Sequence, residues 1–144
     1  MKILVLNGPN LNMTGIRKKD VYGAETLEDI NRELAAYGRE RGAEVIFFQS
    51  NHEGAIIDRL HACRGEVDGV VLNAGAYTHY SYAIRDAIEA IADYVPVVEV
   101  HMSDIHSRED FRHISVITDV CVKQISGFGK DSYKMGIDLL LEIL

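Results

Sequence analysis

Five short, mostly apolar runs alternate with stretches of helical spacing, and that alternation is the strongest constraint on the fold of this chain. The runs are Lys2–Asn7, Val45–Gln49, Gly69–Leu72, Val95–Val100 and Val120–Ile125. Each is too short for a buried helix, is rich in Val, Ile and Leu, and reads as a strand covered on both faces. Between them, Leu27, Ile30, Leu34 and Tyr37 share one helical face that ends at Gly42, and Thr26 with Asp29 forms a capping-box pattern at its start. Ile56, Ile57, Leu60 and Cys63 define a second helix, capped by Ser50 or Asn51 and ending near Gly65. A third runs from about Tyr80 to Tyr94 with Ile84, Ala87, Ile88 and Ile91 inward, and Ser132–Leu144 closes the chain. Pro96 falls at the start of its strand, where a missing N–H is tolerated. Regular alternation of this kind gives a parallel sheet between two helical layers. With five strands in 144 residues, the expected architecture is a single α/β domain over 1–144, a flavodoxin-like three-layer sandwich of strand order 2-1-3-4-5.

Two features narrow the function classes. The net charge is −7 and no Lys/Arg stripe is present, which disfavours a general nucleic-acid binder but leaves room for a small anionic substrate held by local arginines. No apolar run approaches membrane-spanning length, and the start Met1–Asn7 turns polar too soon for a signal peptide, so a cytoplasmic protein is expected. Cys63 on a helical face and Cys121 in a strand then read as reduced thiols.

Chemistry concentrates at three strand ends. Asn7-Gly8-Pro9-Asn10 follows the first strand, Asn73-Ala74-Gly75-Ala76-Tyr77-Thr78-His79 the third, and His101-Met102-Ser103-Asp104 with His106 and Arg108 the fourth. Ligands of open α/β sheets bind outside the carboxyl ends of the strands. The connection Gly8–Gly23 is long for a compact domain, and a lid over about 13–23 is expected. Gly8-Pro9-Asn10-Leu11-Asn12 is neither a dinucleotide fingerprint nor a phosphate loop, and the end of strand one carries asparagines where a phospho-acceptor domain needs acids. His101 and His106 have no partners at metal-ligand spacing, and Ser103 lacks a glycine-flanked elbow.

What remains favours acid–base chemistry without a cofactor. Glu99 and His101 stand two apart on a strand, so both side chains point the same way and the carboxylate can orient the imidazole; the other reading is two solvated strand-end residues. Tyr22 shares its loop with Arg17, Lys18 and Lys19, a setting for a tyrosine base of depressed pKa, or for a packing tyrosine beside a solvated charged run. Ser103 suits hydrogen bonding to an anion, and Asn10, Asn73 and His79 suit hydroxyl recognition. Ser107 with Asp110 predicts a brief capped helix through Phe111, on which Arg108 and Arg112, four apart, share a face for an anion or hydroxyl, or pair with Glu109 or Asp110.

Taken in order, these residues resemble type II 3-dehydroquinate dehydratase, the small dehydroquinase of the shikimate pathway, over essentially the whole chain. The resemblance rests on Asn7–Asn12, Gly15-Ile16-Arg17 with Tyr22-Gly23, Gln49–Gly54, Asn73 with Gly75–His79, Glu99–Ser103, and His106, Arg108, Glu109 and Phe111-Arg112. It implies loss of water from 3-dehydroquinate by anti elimination through an enolate, with no metal, imine or nicotinamide. Tyr22 would take the C2 proton, with Arg17 and Arg108 favouring the tyrosinate. Asn10 would stabilise the enolate through an ordered water, and His101, oriented by Glu99, would protonate the departing C1 hydroxyl. The amides of Met102 and Ser103, with the Ser103 hydroxyl, would hold the carboxylate; Asn73, His79 and Arg112 would bind ring hydroxyls. Asp86 would reach the site from a neighbouring subunit of a homo-oligomer, a dodecamer of four trimers.

The chain departs from the family's pattern at Lys18-Lys19, where Glu-Pro is common, at Ala74 for proline, at Tyr80 and Tyr82 for smaller residues, and at Asp104 for asparagine. None of these removes a residue assigned to chemistry. The competing accounts are an enzyme of the same architecture with other chemistry, such as a flavin-binding or hydrolytic protein, and a catalytically silent scaffold or binding protein, for which Tyr22→Phe would change nothing.

Overall fold

A computed structural model of the chain describes residues 1–16, 20 and 24–144. Arg17, Lys18, Lys19, Tyr22 and Gly23, and with them most of the expected lid, lie outside the described residues. Five parallel strands form one sheet of order β2-β1-β3-β4-β5: β1 Lys2–Asn7, β2 Glu44–Gln49, β3 Gly69–Asn73, β4 Val97–His101 and β5 Gln124–Ser126. Among the described residues four α-helices accompany them: α1 Leu27–Glu40, α2 Glu53–Ala62, α3 Tyr82–Ile91 and α4 Asp131–Ile143. The expected architecture and strand order are those observed.

The side-chain period of two divides each central strand between two cores. Ile3, Val5, Val71, Val98 and Val100 meet Ile30 and Leu34 of α1 and Tyr133, Ile137 and Leu140 of α4. Leu4, Leu6, Val70, Leu72 and Val97 meet Ile56 and Leu60 of α2 and Ile84 and Ile88 of α3. Gly136 brings α4 onto the sheet, since a Cβ there would lie 3.1 Å from Val71 and 3.2 Å from Val100. At the head of α1 the Thr26 hydroxyl accepts from Asp29 N–H (3.2 Å) and the Asp29 carboxylate accepts from Thr26 N–H (3.1 Å), which is the expected capping box.

The same parity decides which polar residue faces which helix. Asn7 and Asn73 fall on the α4 side with Val5 and Val71, whereas Glu99 and His101 fall on the α3 side with Val97. The strand ends are thus sorted into two hydrogen-bonding sets before any loop is considered.

Several expected boundaries shift. The run Val120–Ile125 is not one strand: Thr118–Val120 is a 3-10 turn, Cys121 follows it outside the sheet, and β5 begins only at Gln124. The apolar side chains of Val116, Val120 and Cys121 pack on the α2/α3 core instead of forming a ladder, which is why they resemble strand residues. Val97 likewise begins β4, with Pro96 just before it. α3 is shorter than expected because Ser81 caps it, accepting from Ile84 N–H at 3.0 Å, after a separate 3-10 turn over Gly75–His79. Neither Ser50 nor Asn51 caps α2. His52 occupies that position, and the Ser50 hydroxyl accepts from His52 N–H (3.0 Å) while the Asn51 side chain turns toward Asn10.

Candidate active site

The polar ends of β1, β3 and β4 meet in one cleft at the carboxyl edge of the sheet, beside the point where the strand order reverses between β1 and β3. Asn10 lines it from the first loop, Asn73 and His79 from the second, and His101, Met102, Ser103, Arg108 and Arg112 from the third. All eight were expected at the site. Asp86 is exposed on α3 and is not among the lining residues; Arg17 and Tyr22 lie outside the described residues.

Two close approaches seat the loops. A Cβ on Gly8 would lie 2.6 Å from the Ala74 carbonyl oxygen, so only glycine lets the β1 and β3 ends run together, where Gly8 N–H donates to Asn73 O at 2.8 Å. Asn10 adopts φ 69°, a left-handed conformation asparagine tolerates, and its N–H donates to Asn51 Oδ1 at 3.0 Å. Ala74, where the resemblance leads one to expect proline, holds φ −77°, a value proline also adopts.

Beneath the cleft, on the α4 side, Tyr133 joins two strands. Its hydroxyl donates to Asn7 Oδ1 (2.5 Å) and accepts from Asn73 Nδ2 (2.9 Å), while Asn73 Oδ1 accepts from Gly75 N–H (3.1 Å). These bonds fix which end of the Asn73 amide is oxygen and hold it at the cleft floor. Tyr133 and its pairing with Asn7 escaped sequence reasoning; the available signal was a tyrosine on the apolar face of α4, whose hydroxyl needs a partner once buried. Tyr133→Phe leaves two buried amides short of a partner, and chemical denaturation is expected to show a loss of about 1–3 kcal/mol.

On the α3 side Glu99 is fully buried, and its Oε2 accepts from His101 Nε2 at 2.5 Å. The paired reading of the two residues is therefore the one observed. Burial pushes the Glu99 carboxyl up, but the hydrogen bond and charge of His101, with the Thr118 and Ser115 hydroxyls, outweigh it and hold the carboxyl below its ordinary value. With Nε2 committed to Glu99, Nδ1 is the ring nitrogen left for chemistry in the cleft.

The His79 ring stacks beside His101, centroids 6.4 Å apart, and His79 Nδ1 donates to the Ile114 carbonyl oxygen at 2.8 Å. Burial is the main cause of a lowered His79 pKa, so the ring is neutral with Nε2 as an acceptor. Because the unfolded histidine protonates first, this contribution to stability is intact above pH 6.5 and is lost as pH falls below it. Urea midpoints measured between pH 7 and pH 5 are expected to fall less steeply for His79→Asn than for the wild type.

Arg108 and Arg112 reach the cleft without sharing a helical face. Asp104, not Ser107, caps a 3-10 turn over Ile105–Ser107, accepting from His106 N–H at 3.0 Å; Arg108 is then extended, and a second turn covers Asp110–Arg112. The Ser107 hydroxyl instead donates back to the Asp104 carbonyl oxygen at 2.9 Å, and in place of the helix expected after Ser107 the chain has extended Arg108 and the turn Asp110–Arg112. Arg108 Nη1 donates to Ser103 Oγ (3.4 Å), and Glu109 pairs with both guanidinium groups, Arg112 at 3.3 Å and Arg108 at 3.8 Å. The wall thus presents two guanidinium groups to the cleft, donors suited to a small anion. Asp104 acts as a cap and is not part of the cleft lining, so its departure from the family's pattern does not touch the pocket.

The comparisons with known proteins agree with this geometry. The family model described as dehydroquinase class II matches residues 1–141. The chain belongs to the class II dehydroquinase family. The 3-dehydroquinate dehydratase of Caldicellulosiruptor bescii is 55% identical over 144 residues, covering 99% of this chain and 98% of the relative. That of Carboxydothermus hydrogenoformans is 49% identical, covering 100% of this chain and 92% of the relative. The crystal structure of the type II dehydroquinase from Butyrivibrio crossotus superposes with a TM-score of 0.95 at 51% identity, covering 98% of this chain and 97% of that one. The dehydroquinase fold is thus shared over 98% of the chain.

Proposed function

We propose that this chain catalyses the reversible dehydration of 3-dehydroquinate to 3-dehydroshikimate by anti elimination through an enolate. The observation that carries the reading is the buried Glu99–His101 pair, 2.5 Å apart, at the floor of a cleft with Arg108 and Arg112 on its wall. The substrate is a small cyclic hydroxy acid. Its carboxylate is held by the Met102 and Ser103 amides and the Ser103 hydroxyl, and its ring hydroxyls by Asn73, His79 and Arg112.

Tyr22, as tyrosinate favoured by Arg17 and Arg108, removes the C2 proton. Electron density passes to the C3 carbonyl oxygen, where Asn10 stabilises the enolate through a water. Collapse of the enolate expels the C1 hydroxyl, which leaves as water with a proton from His101. For that step the His101 ring is the imidazolium, donating through Nδ1 while Glu99 offsets its charge from Nε2. The active assembly is a dodecamer of four trimers in which Asp86, exposed on α3 of one copy, approaches a neighbour's cleft. Light scattering at assay concentration tests that assembly.

The activity test adds 3-dehydroquinate to the purified protein with a chelator present throughout, and follows the ultraviolet absorbance of the conjugated enone product. A protein-dependent rise is expected. No rise from folded protein would leave the silent-scaffold account standing.

A further inference from the structure

The Glu99 carboxylate has more partners than the histidine it orients. Thr118 Oγ1 donates to Glu99 Oε1 at 2.5 Å, and Gln124 Nε2 donates to Glu99 Oε2 at 3.3 Å and to Thr118 Oγ1 at 3.0 Å. They flank the segment Val120–Lys123 that departs from the expected strand. The 3-10 turn Thr118–Val120 brings the Thr118 hydroxyl onto the carboxylate, and the parallel register sets Gln124 directly beside Glu99. A continuous strand from Val120 would remove the turn that presents Thr118.

We propose that Thr118, supported by Gln124, is a positioning residue for the dehydration: it holds Glu99 anionic and fixed in rotamer, so that His101 Nε2 stays committed to Glu99 and Nδ1 stays aimed at substrate. A fully buried carboxylate is costly unless its oxygens are satisfied, and His101 addresses only one of them. Thr118 satisfies the other at 2.5 Å, and the Ser115 hydroxyl contributes less than Thr118 to holding the carboxylate. The Thr118 hydroxyl can serve both neighbours at once, donating to Glu99 while accepting from Gln124, which sets the direction of the chain Gln124 to Thr118 to Glu99 to His101.

Among the described residues, the titratable groups that feel this carboxylate include His101 on β4, His79 on the second cleft loop, and Cys121 just after the 3-10 turn. Cys121 is held protonated, chiefly by burial and then by the Glu99 charge, so it does not compete for the role. His79 is neutral. Glu99 and His101 share a hydrogen bond, so whatever biases the carboxylate also bears on the imidazole.

The proposal rests on the acid role given to His101, and its test has one arm that needs no turnover. Thr118→Val keeps the shape and removes the donor; Thr118→Ser keeps the donor. In the first arm, carboxyl-labelled glutamate is followed by NMR during a pH titration of substrate-free enzyme. The Glu99 midpoint is expected to rise by about one pH unit in Thr118→Val and to return toward wild type in Thr118→Ser. In the second arm, kcat is measured against pH. Thr118→Val is expected to lower kcat by about tenfold with little change in KM, and to move the acidic limb upward with the NMR midpoint. Gln124→Leu, which removes the weaker support from the β5 side, is expected to do the same to a smaller extent, and it carries the test should Thr118→Val fail to fold. An unmoved Glu99 midpoint in the folded variants overturns the proposal, as does a loss of kcat that Thr118→Ser fails to restore. A wild type without dehydratase activity whose Glu99 midpoint still responds to Thr118→Val sinks the assigned reaction while leaving the positioning of Glu99 intact.

Discussion

His101→Gln is expected to lower kcat for dehydration by about 10²- to 10⁴-fold, which is the range a positioned general acid contributes. Glutamine is the informative replacement because of the bond the histidine makes at its far nitrogen. The Glu99 carboxylate, buried with no exposure, accepts from His101 Nε2, and a glutamine amide can present an N–H near the same place. The buried charge then keeps a donor, and the fold is spared the 3–5 kcal/mol or so that an orphaned buried carboxylate costs. What is lost is the titrating nitrogen that faces substrate. His101→Ala confounds the two effects, removing the acid and stranding the carboxylate together. In steady-state assays KM should change little, because the missing interaction belongs to the transition state and not to ground-state binding. A near-normal kcat in His101→Gln, with the protein folded, would remove His101 from the proton transfer and return Glu99–His101 to a purely structural pair.

The contrast between the two ends of the sheet shows what a sequence can and cannot disclose here. β1, β3 and β4 are apolar on both faces because both faces are covered, and such runs are unambiguous. The Glu99–His101 pairing was legible for the same reason: within a strand, spacing alone fixes which side chains point together. β5 is an edge strand of three residues, and the apolar residues before it are consumed by packing against a core that only the assembled fold creates. No local pattern distinguishes that use of Val120 and Cys121 from a strand, so Thr118 was invisible as a partner of Glu99, nineteen residues away. The same limit applies to Asn7 and Tyr133, whose hydrogen bond spans 126 positions. Arg108 and Arg112 show the opposite case. The helix that was to align them is absent, yet both reach the cleft, because the carboxyl edge of β4 and not a local helix determines where that loop can go.

Tyr22→Phe is expected to reduce kcat by about 10²- to 10⁴-fold, and the decisive comparison is with His79→Asn. Among the described residues of the cleft His79 is the rival base: its Nδ1 donates to Ile114 O, burial keeps the ring neutral, and Nε2 is left as an acceptor. Its position argues against that role. The His79 and His101 rings stand side by side, nearly parallel at 19° with centroids 6.4 Å apart, and in the proposed reading both serve the same side of the bound ring. In an anti elimination the proton and the hydroxyl leave from opposite faces of the substrate. A base paired with His101 as acid must then come from across the cleft, and the connection after β1, which carries Tyr22, is the segment whose sequence supplies one. His79→Asn keeps a hydrogen-bonding side chain and should act mainly through KM, raising it by about tenfold as one hydroxyl contact weakens, with kcat largely retained. The reversed result, a collapse of kcat in His79→Asn with Tyr22→Phe close to wild type, would place the base beside the acid, and the elimination would then have to be syn. A substrate deuterated stereospecifically at C2 separates the two cases directly, since anti loss removes one prochiral hydrogen and syn loss removes the other.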